Sequence, residues 1–264
     1  MDKTHSNEAY WDETTAEYFA ETHISLEDFH YGPLLPGDTS LGLLPPELSG
    51  LRCLEVAAGA GHNSIVLAKN GALATAVDIS TAQLSAGKNL SDQEGVTIQY
   101  MQGDMDALPP ELGDFDLIHT NSINFSEDPG ALIRNLATRL VDNGTLIASA
   151  IHPLFHGEWL EVEDDGFGLF SLNYFDPEDD IRASNTSGAE IHSRSYPISD
   201  MFGWFKSAGL EIIGFHELPA AAVQGEDNAP PPGVPYFSAA WMEWHDQLRR
   251  FPIMAIFKAQ KRQP

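Results

Sequence analysis

A single cysteine in 264 residues, Cys53, leaves the chain with no internal disulfide and points to a reducing compartment, the cytoplasm. It stands in an apolar run and reads as a small core residue. Basic residues are scarce: 14 Lys and Arg face 39 Asp and Glu, a formal net charge of −25. Such a chain repels phosphate backbones and anionic bilayers, which argues against nucleic acid and membrane as partners and leaves a small molecule as the expected one. No stretch approaches the roughly 18 consecutive apolar residues of a membrane span, and the opening "MDKTHSNEAY" lacks the basic flank and apolar region of a signal peptide. Also missing are the G-x-S-x-G elbow of serine hydrolases and the G-x-x-x-x-G-K-[ST] phosphate loop. "HPLFH" (152–156) spaces two histidines as a helical zinc pair would, but Pro153 prevents the helix, so no metal is expected. Oligomeric state is left open by the sequence.

What the chain does have is core material, 42% hydrophobic residues with 14 Phe and 5 Trp, and from residue 51 an alternation of short apolar runs with amphipathic stretches. That alternation predicts strand-helix units around a largely parallel sheet, an α/β fold. The strands expected are 51–57, 72–77, 96–101, 115–120, 145–151, 210–217 and 253–259. A helix should run from about Asn63 to Asn70 and stop at Gly71. Another should begin at Ser80, where "STAQ" forms a capping box with Gln83. A third opens with Asp128 as cap and Pro129 at its first position, with Leu132, Ile133, Leu136 and Leu140 on one face. Residues 152–198 lack sustained periodicity and are too long for an idle connection, which predicts a functional cap insertion. The first 50 residues hold one helical segment, "NEAYWDETTAEYFAE", and a Pro/Gly-punctuated stretch. "SAAWMEWHDQLRR" (238–250) reads as a short helix.

The informative stretch is "CLEVAAGAGHNS" (53–64). A strand that runs into small residues and then a helix start leaves backbone N–H groups and the helix dipole facing a ligand, with no side chains in the way. Glu55 stands at the end of that strand and Asp78 at the end of the next, where a carboxylate can accept from a ribose diol. So far the ligand is only adenosine-like, and a nicotinamide or flavin dinucleotide would fit as well. The G-x-G-x-x-G order of dinucleotide sites is absent, however.

The spacing resembles the E/D-x-G-x-G-x-G first motif of class I S-adenosylmethionine-dependent methyltransferases. "AVDIS" (76–80), "GDMDALP" (103–109), "FDLIHTNSINFSEDP" (115–129) and "LVDNGTLIASA" (140–150) resemble that family's later motifs in order and spacing. The resemblance implies a Rossmann-like seven-stranded mixed sheet of strand order 3214576, the last strand antiparallel, with helices on both faces. It further implies an N-terminal helical lid (1–50) and a methyltransferase domain (51–264) that carries the cap. Its cofactor would be S-adenosylmethionine, and its action methyl transfer to an O, N or C atom of a small molecule. On this resemblance Glu55, Gly59 and Gly61 shape the methionine and sulfonium pocket and Asn121 lines the methionine end. Asp78 binds the ribose, Ile79 packs on the adenine, Asp104 accepts from its exocyclic amine, and Met105 lies by the ring. Ala57 replaces the motif's first glycine, a change expected to be tolerated only if φ there is not positive.

An acceptor would bind outside the strand ends, under the cap and the first 35 residues. His152, directly after the fifth strand, is the first candidate for a base or acceptor contact, and His30 the second; either could instead be structural. "FHYG" (29–32) resembles the family's closing segment, making Tyr31 a cofactor or acceptor contact, with Tyr10 and Trp11 in the same lid. His119, inside a strand, reads as core. Two other readings stand beside this one: an NAD(P)-dependent oxidoreductase, and a non-catalytic nucleoside-binding partner protein. An antiparallel closing strand would count against the first.

Overall fold

The computed structural model describes residues 3–155, 173–176, 178–184, 188–223, 233–237 and 245–262, with the backbone alone of 157–162 and 166–171. In chain order these form α1 (Lys3–Thr22), α2 (Asp38–Leu41), β1 (Arg52–Val56), α3 (His62–Lys69), β2 (Leu73–Asp78) and α4 (Thr81–Glu94). There follow β3 (Ile98–Gln102), β4 (Phe115–Thr120), a 3-10 turn (Ile123–Phe125), α5 (Pro129–Thr138) and β5 (Leu140–Ile151). The remainder comprises the strands β6 (Gly157–Val162), β7 (Gly166–Ser171), β8 (Asp180–Ala183) and β9 (Glu190–Ser193), then α6 (Ile198–Ser207), β10 (Leu210–Leu218), α7 (His245–Leu248) and β11 (Met254–Lys261).

Among the described residues seven strands form one sheet, in the order β3-β2-β1-β4-β5-β11-β10. Counting only its own strands, that is the expected 3214576. β1 to β5 pair in parallel, while β11 is antiparallel to both β5 and β10. An antiparallel strand wedged between two others is not another crossover unit, which counts against the nicotinamide-type sheet. Side chains alternate along each strand, so neighbours go to opposite faces. Ile118, Leu146 and Phe257 join Leu132, Ile133 and Leu136 of α5 with Met201 and Phe205 of α6. Leu117, Ile147 and Ile256 face the other way, onto Val66 and Leu67 of α3. Phe29, Tyr31, Leu34, Leu35 and Leu43 belong to that second cluster, so residues 29–43 are part of the sheet's own core.

The helix starts follow local chemistry. Ser80 Oγ accepts from Gln83 N–H at 3.1 Å, and Asp128 Oδ1 accepts from Ala131 N–H at 2.8 Å with Pro129 next to it. The capping box is only half made. Ser80 N–H donates to Asp78 at 2.8 Å instead of to Gln83, which leaves the Gln83 side chain free of the cap.

The cap region holds two hairpins, β6–β7 and β8–β9. The second docks on α1: Asn7 accepts from His192 N–H at 2.8 Å and donates to His192 O at 3.1 Å. At its other side α1 is fixed to the sheet layer by Asp12, whose Oδ1 accepts from Ser80 Oγ at 2.6 Å and Ala82 N–H at 3.0 Å. An anion at the start of α4 also meets the positive end of the helix dipole. Of the helix expected in 238–250, only α7 and the residues after it are described; His156 also lies outside the described residues. Among the described residues no helix is long and apolar enough to cross a membrane.

Candidate active site

Between β1 and β4 the strand order changes direction, and crevices open at such a point beyond the carboxyl ends of parallel strands. Here the crevice is a cavity of about 260 Å³. Its floor is the loops after β1, β2, β3 and β4, and its roof is Thr4, Asn7, Trp11 and Tyr18 of α1. It continues past Asn121 to Ile151 at the end of β5, Met254 at the start of β11, and Tyr236.

The loop after β1 takes its shape from left-handed backbone at alternate positions, with φ +52° at Ala57, +56° at Gly59 and +70° at Gly61. Ala57 therefore occupies the conformation expected to be barred to it, a strain of about 1–2 kcal/mol for a residue with a β-carbon. The loop is held there: Ala58 N–H donates to Val77 O at 3.1 Å and Gly59 N–H to Asp78 Oδ2 at 2.6 Å. Gly87 of α4 makes the close approach possible, since a β-carbon on it would lie 2.4 Å from Ala60 O.

Two buried carboxylates meet at this loop. Val56 pairs with Val77, so Glu55 and Asp78 stand near the ends of adjacent strands, 5% and 7% exposed. Glu55 Oε2 accepts from Ser64 N–H at 2.8 Å and Ser64 Oγ at 2.7 Å. Asp78 accepts from Ser80 and Gly59 N–H. No Lys or Arg pairs with either. Burial consequently pushes Glu55 up to about 7 and Asp78 up to about 6, against the pull of those N–H donors. Gln83 Oε1, which faces the cavity, is buried without a partner.

His30 stands over the boundary between β1 and β4. Asn63, fully buried at the start of α3, accepts from His30 N–H at 2.9 Å and donates to His30 O at 2.9 Å. Asn121 Nδ2 donates to the same carbonyl at 3.3 Å. Asn63 Nδ2 also lies 3.1 Å from His119 Nε2, and His119 Nδ1 lies 3.1 Å from Ile147 O. Because a carbonyl only accepts, His119 carries its proton on Nδ1 and accepts at Nε2. Burial lowers His119 and His30 to about 3 and His62 to about 4, so all three are neutral. The side chain of His30 lines the cavity, and its Nδ1 is buried without a hydrogen-bond partner.

Residues 53–144 match the model of a methyltransferase domain family. A ubiquinone biosynthesis O-methyltransferase of Coxiella burnetii is 33% identical over 176 residues, covering 65% of this chain and 70% of that one. Among solved structures, an S-adenosylmethionine-dependent methyltransferase from Mesorhizobium loti superposes with TM-score 0.63 at 18% identity, over 84% of this chain and 96% of that one. The magnesium protoporphyrin IX methyltransferase of Synechocystis, with bound S-adenosylhomocysteine, gives TM-score 0.58 at 16% identity over 98% of this chain and all of that one. The chain belongs to the class I S-adenosylmethionine-dependent methyltransferases.

Of the positions that the family motifs mark in this methyltransferase, Glu55, Ala57, Gly59, Asp78, Ile79, Asp104, Met105 and Asn121 all line the cavity, as does His30. Three expected residues stand elsewhere. Gly61 lies behind the loop as the cap of α3, with a β-carbon position 3.2 Å from Tyr100. Tyr31 is fully buried and donates its hydroxyl to Asp38, so it is a core residue and not a ligand contact. His152 is 2% exposed, with Nε2 2.8 Å from Glu217 and Nδ1 accepting from Leu154 N–H; it ties the end of β5 to β10. Of the two lid aromatics, Trp11 lines the cavity, 6.3 Å from the Phe125 ring. The residue that sequence reasoning missed is Asn63. Its only signal was its place in "GHNS", directly after the glycine loop.

Proposed function

We propose that this chain binds S-adenosylmethionine in the cavity and transfers its methyl group in line to an O, N or C atom of a small molecule. The observation that carries the reading is the pair of buried carboxylates, Glu55 and Asp78, facing the cavity without a basic partner. Such a pair calls for a ligand that brings positive charge and hydroxyl donors. An ammonium, a sulfonium and a ribose diol answer that need.

On this reading Asp78 accepts from the ribose hydroxyls with the lone pairs that Ser80 and Gly59 leave unused. Glu55 supplies negative charge near the methionine end, and its hydrogen bonds to Ser64 fix its orientation. Gly59 lets backbone approach the ligand, and the unpartnered Gln83 Oε1 stands beside it. Ile79 and Met105 flank the adenine, and Asp104 receives its amine. Asn121 bounds the methionine end, and His30 faces the acceptor as a neutral imidazole. α1 excludes water through Trp11 and Tyr18. When bound, the sulfonium supplies an activated methyl group, and alignment of the acceptor behind it supplies most of the acceleration.

Thermal melting tests the reading. S-adenosylhomocysteine should raise the Tm of the wild type, NAD should not, and Asp78→Ala should abolish the shift. A shift with NAD and none with S-adenosylhomocysteine contradicts it.

A further inference from the structure

The sheet order divides the cavity into two halves of different chemistry. Glu55, Asp78 and Asp104 stand on the loops of β1, β2 and β3. The far half is built over β4, β5 and β11 from Ile151, Met254, Pro33 and Tyr236, with His30 at the division. Tyr236 Oη is occupied by Tyr18 Oη. Asp106, the carboxylate that reaches the cavity after Asp104, accepts from Ser126 Oγ with one oxygen and from Glu127 N–H with the other.

The chain has 14 Lys and Arg, all within the described residues, and none lines the cavity. Among the described residues the cavity histidines are His30 and His62, both held neutral by burial. An acceptor carrying a carboxylate or phosphate would lose its hydration with no cation to replace it, and would meet the field of Glu55 and Asp78 besides. The desolvation of an unpaired anion costs several kcal/mol.

We propose that the methyl acceptor carries no anionic group, that it is an apolar or aromatic molecule presenting one hydroxyl or amine beside His30, and that carboxylate- or phosphate-bearing acceptors are refused. The proposal rests on the preceding reading of the cofactor half, and its test separates the two. Saturation-transfer NMR on the protein saturated with S-adenosylhomocysteine would compare a set of phenols, each as methyl ester and as carboxylate. Failure of calorimetry to detect S-adenosylhomocysteine sinks the cofactor reading itself. With that ligand bound, the esters are expected to bind at least tenfold more tightly than the carboxylates. A preference for the carboxylates, or no preference, overturns the proposal. Pro33→Lys, at a partly exposed loop position on the far half, should move the preference toward the carboxylates. Ile151→Lys provides the same test from the sheet side, with circular dichroism as the check on folding.

Discussion

Asn63 grips His30 by both of its backbone groups, accepting from its N–H and donating to its carbonyl, each at 2.9 Å across 33 residues of sequence. The same amide reaches His119 inside β4. One buried side chain thus ties the start of α3, the lid segment and the middle of the sheet together, and sets where the His30 ring stands over the cavity.

Asn63→Ala leaves the His30 N–H and His119 Nε2 without partners, and an orphaned buried group costs about 1–3 kcal/mol. A fall in Tm of about 5–10 °C is expected for a chain of this size. Turnover should drop further than cofactor affinity, because His30 loses its position while Asp78 keeps its own and Glu55, which loses a contact with Asn63, keeps both bonds to Ser64. Melting, calorimetry with S-adenosylhomocysteine and kcat together check this.

Ala57 at φ +52° separates backbone strain from side-chain chemistry. Ala57→Gly removes about 1 kcal/mol of strain and adds a similar entropy to the unfolded chain, so Tm should stay within about 3 °C of the wild type. Ala57→Val should lower it by about 5 °C or more, since a β-branched residue resists this conformation. A melting series over the three residues decides.

The raised carboxylate of Glu55 makes both stability and ligand binding depend on pH. Its folded value, about 7, exceeds the ordinary 4.5, so between these limits the folded chain binds the extra proton. Stability of the ligand-free protein should therefore fall as pH climbs from about 4.5 to about 7 and change little above. The ammonium group of the ligand favours the ionised form, so affinity for S-adenosylhomocysteine should rise by up to about tenfold per pH unit toward 7 and then level off. Below about 6, Asp78 steepens the dependence. Glu55→Gln should flatten the upper part of a calorimetric profile.

Asp12 anchors the lid by accepting from the first turn of α4. Asp12→Ala should cost about 1 kcal/mol, the usual loss on removing a helix cap. Hydrogen exchange across residues 3–22 should quicken, with less change in the sheet. Asp12→Asn, which retains an acceptor oxygen, should restore most of the protection.

Much of this architecture was legible because it is local. Strand periodicity, the Ser80 and Asp128 caps, and the small residues after β1 act over a few positions and appear close to where the sequence puts them. β5, however, starts at Leu140, five residues before the expected 145, so that Leu140 belongs to the strand and not to the face of α5. The acid at each strand end was legible for the same reason. Partners were not. His152 looked available until the fold brought Glu217 to it across 65 residues, and Tyr31 looked like a ligand contact until Asp38 and the core enclosed it. Asn63 could not be told from an ordinary helix-start residue. Ala57 misled for a different reason: flanking hydrogen bonds to Val77 and Asp78 impose a loop shape that its own propensity opposes.

A crystal structure with S-adenosylhomocysteine tests the central claim most directly. The account predicts the adenine between Ile79 and Met105, the ribose diol on Asp78, and the sulfur facing the half of the cavity bounded by His30, Ile151 and Met254. A nucleoside bound elsewhere, or a ribose turned away from Asp78, would contradict it.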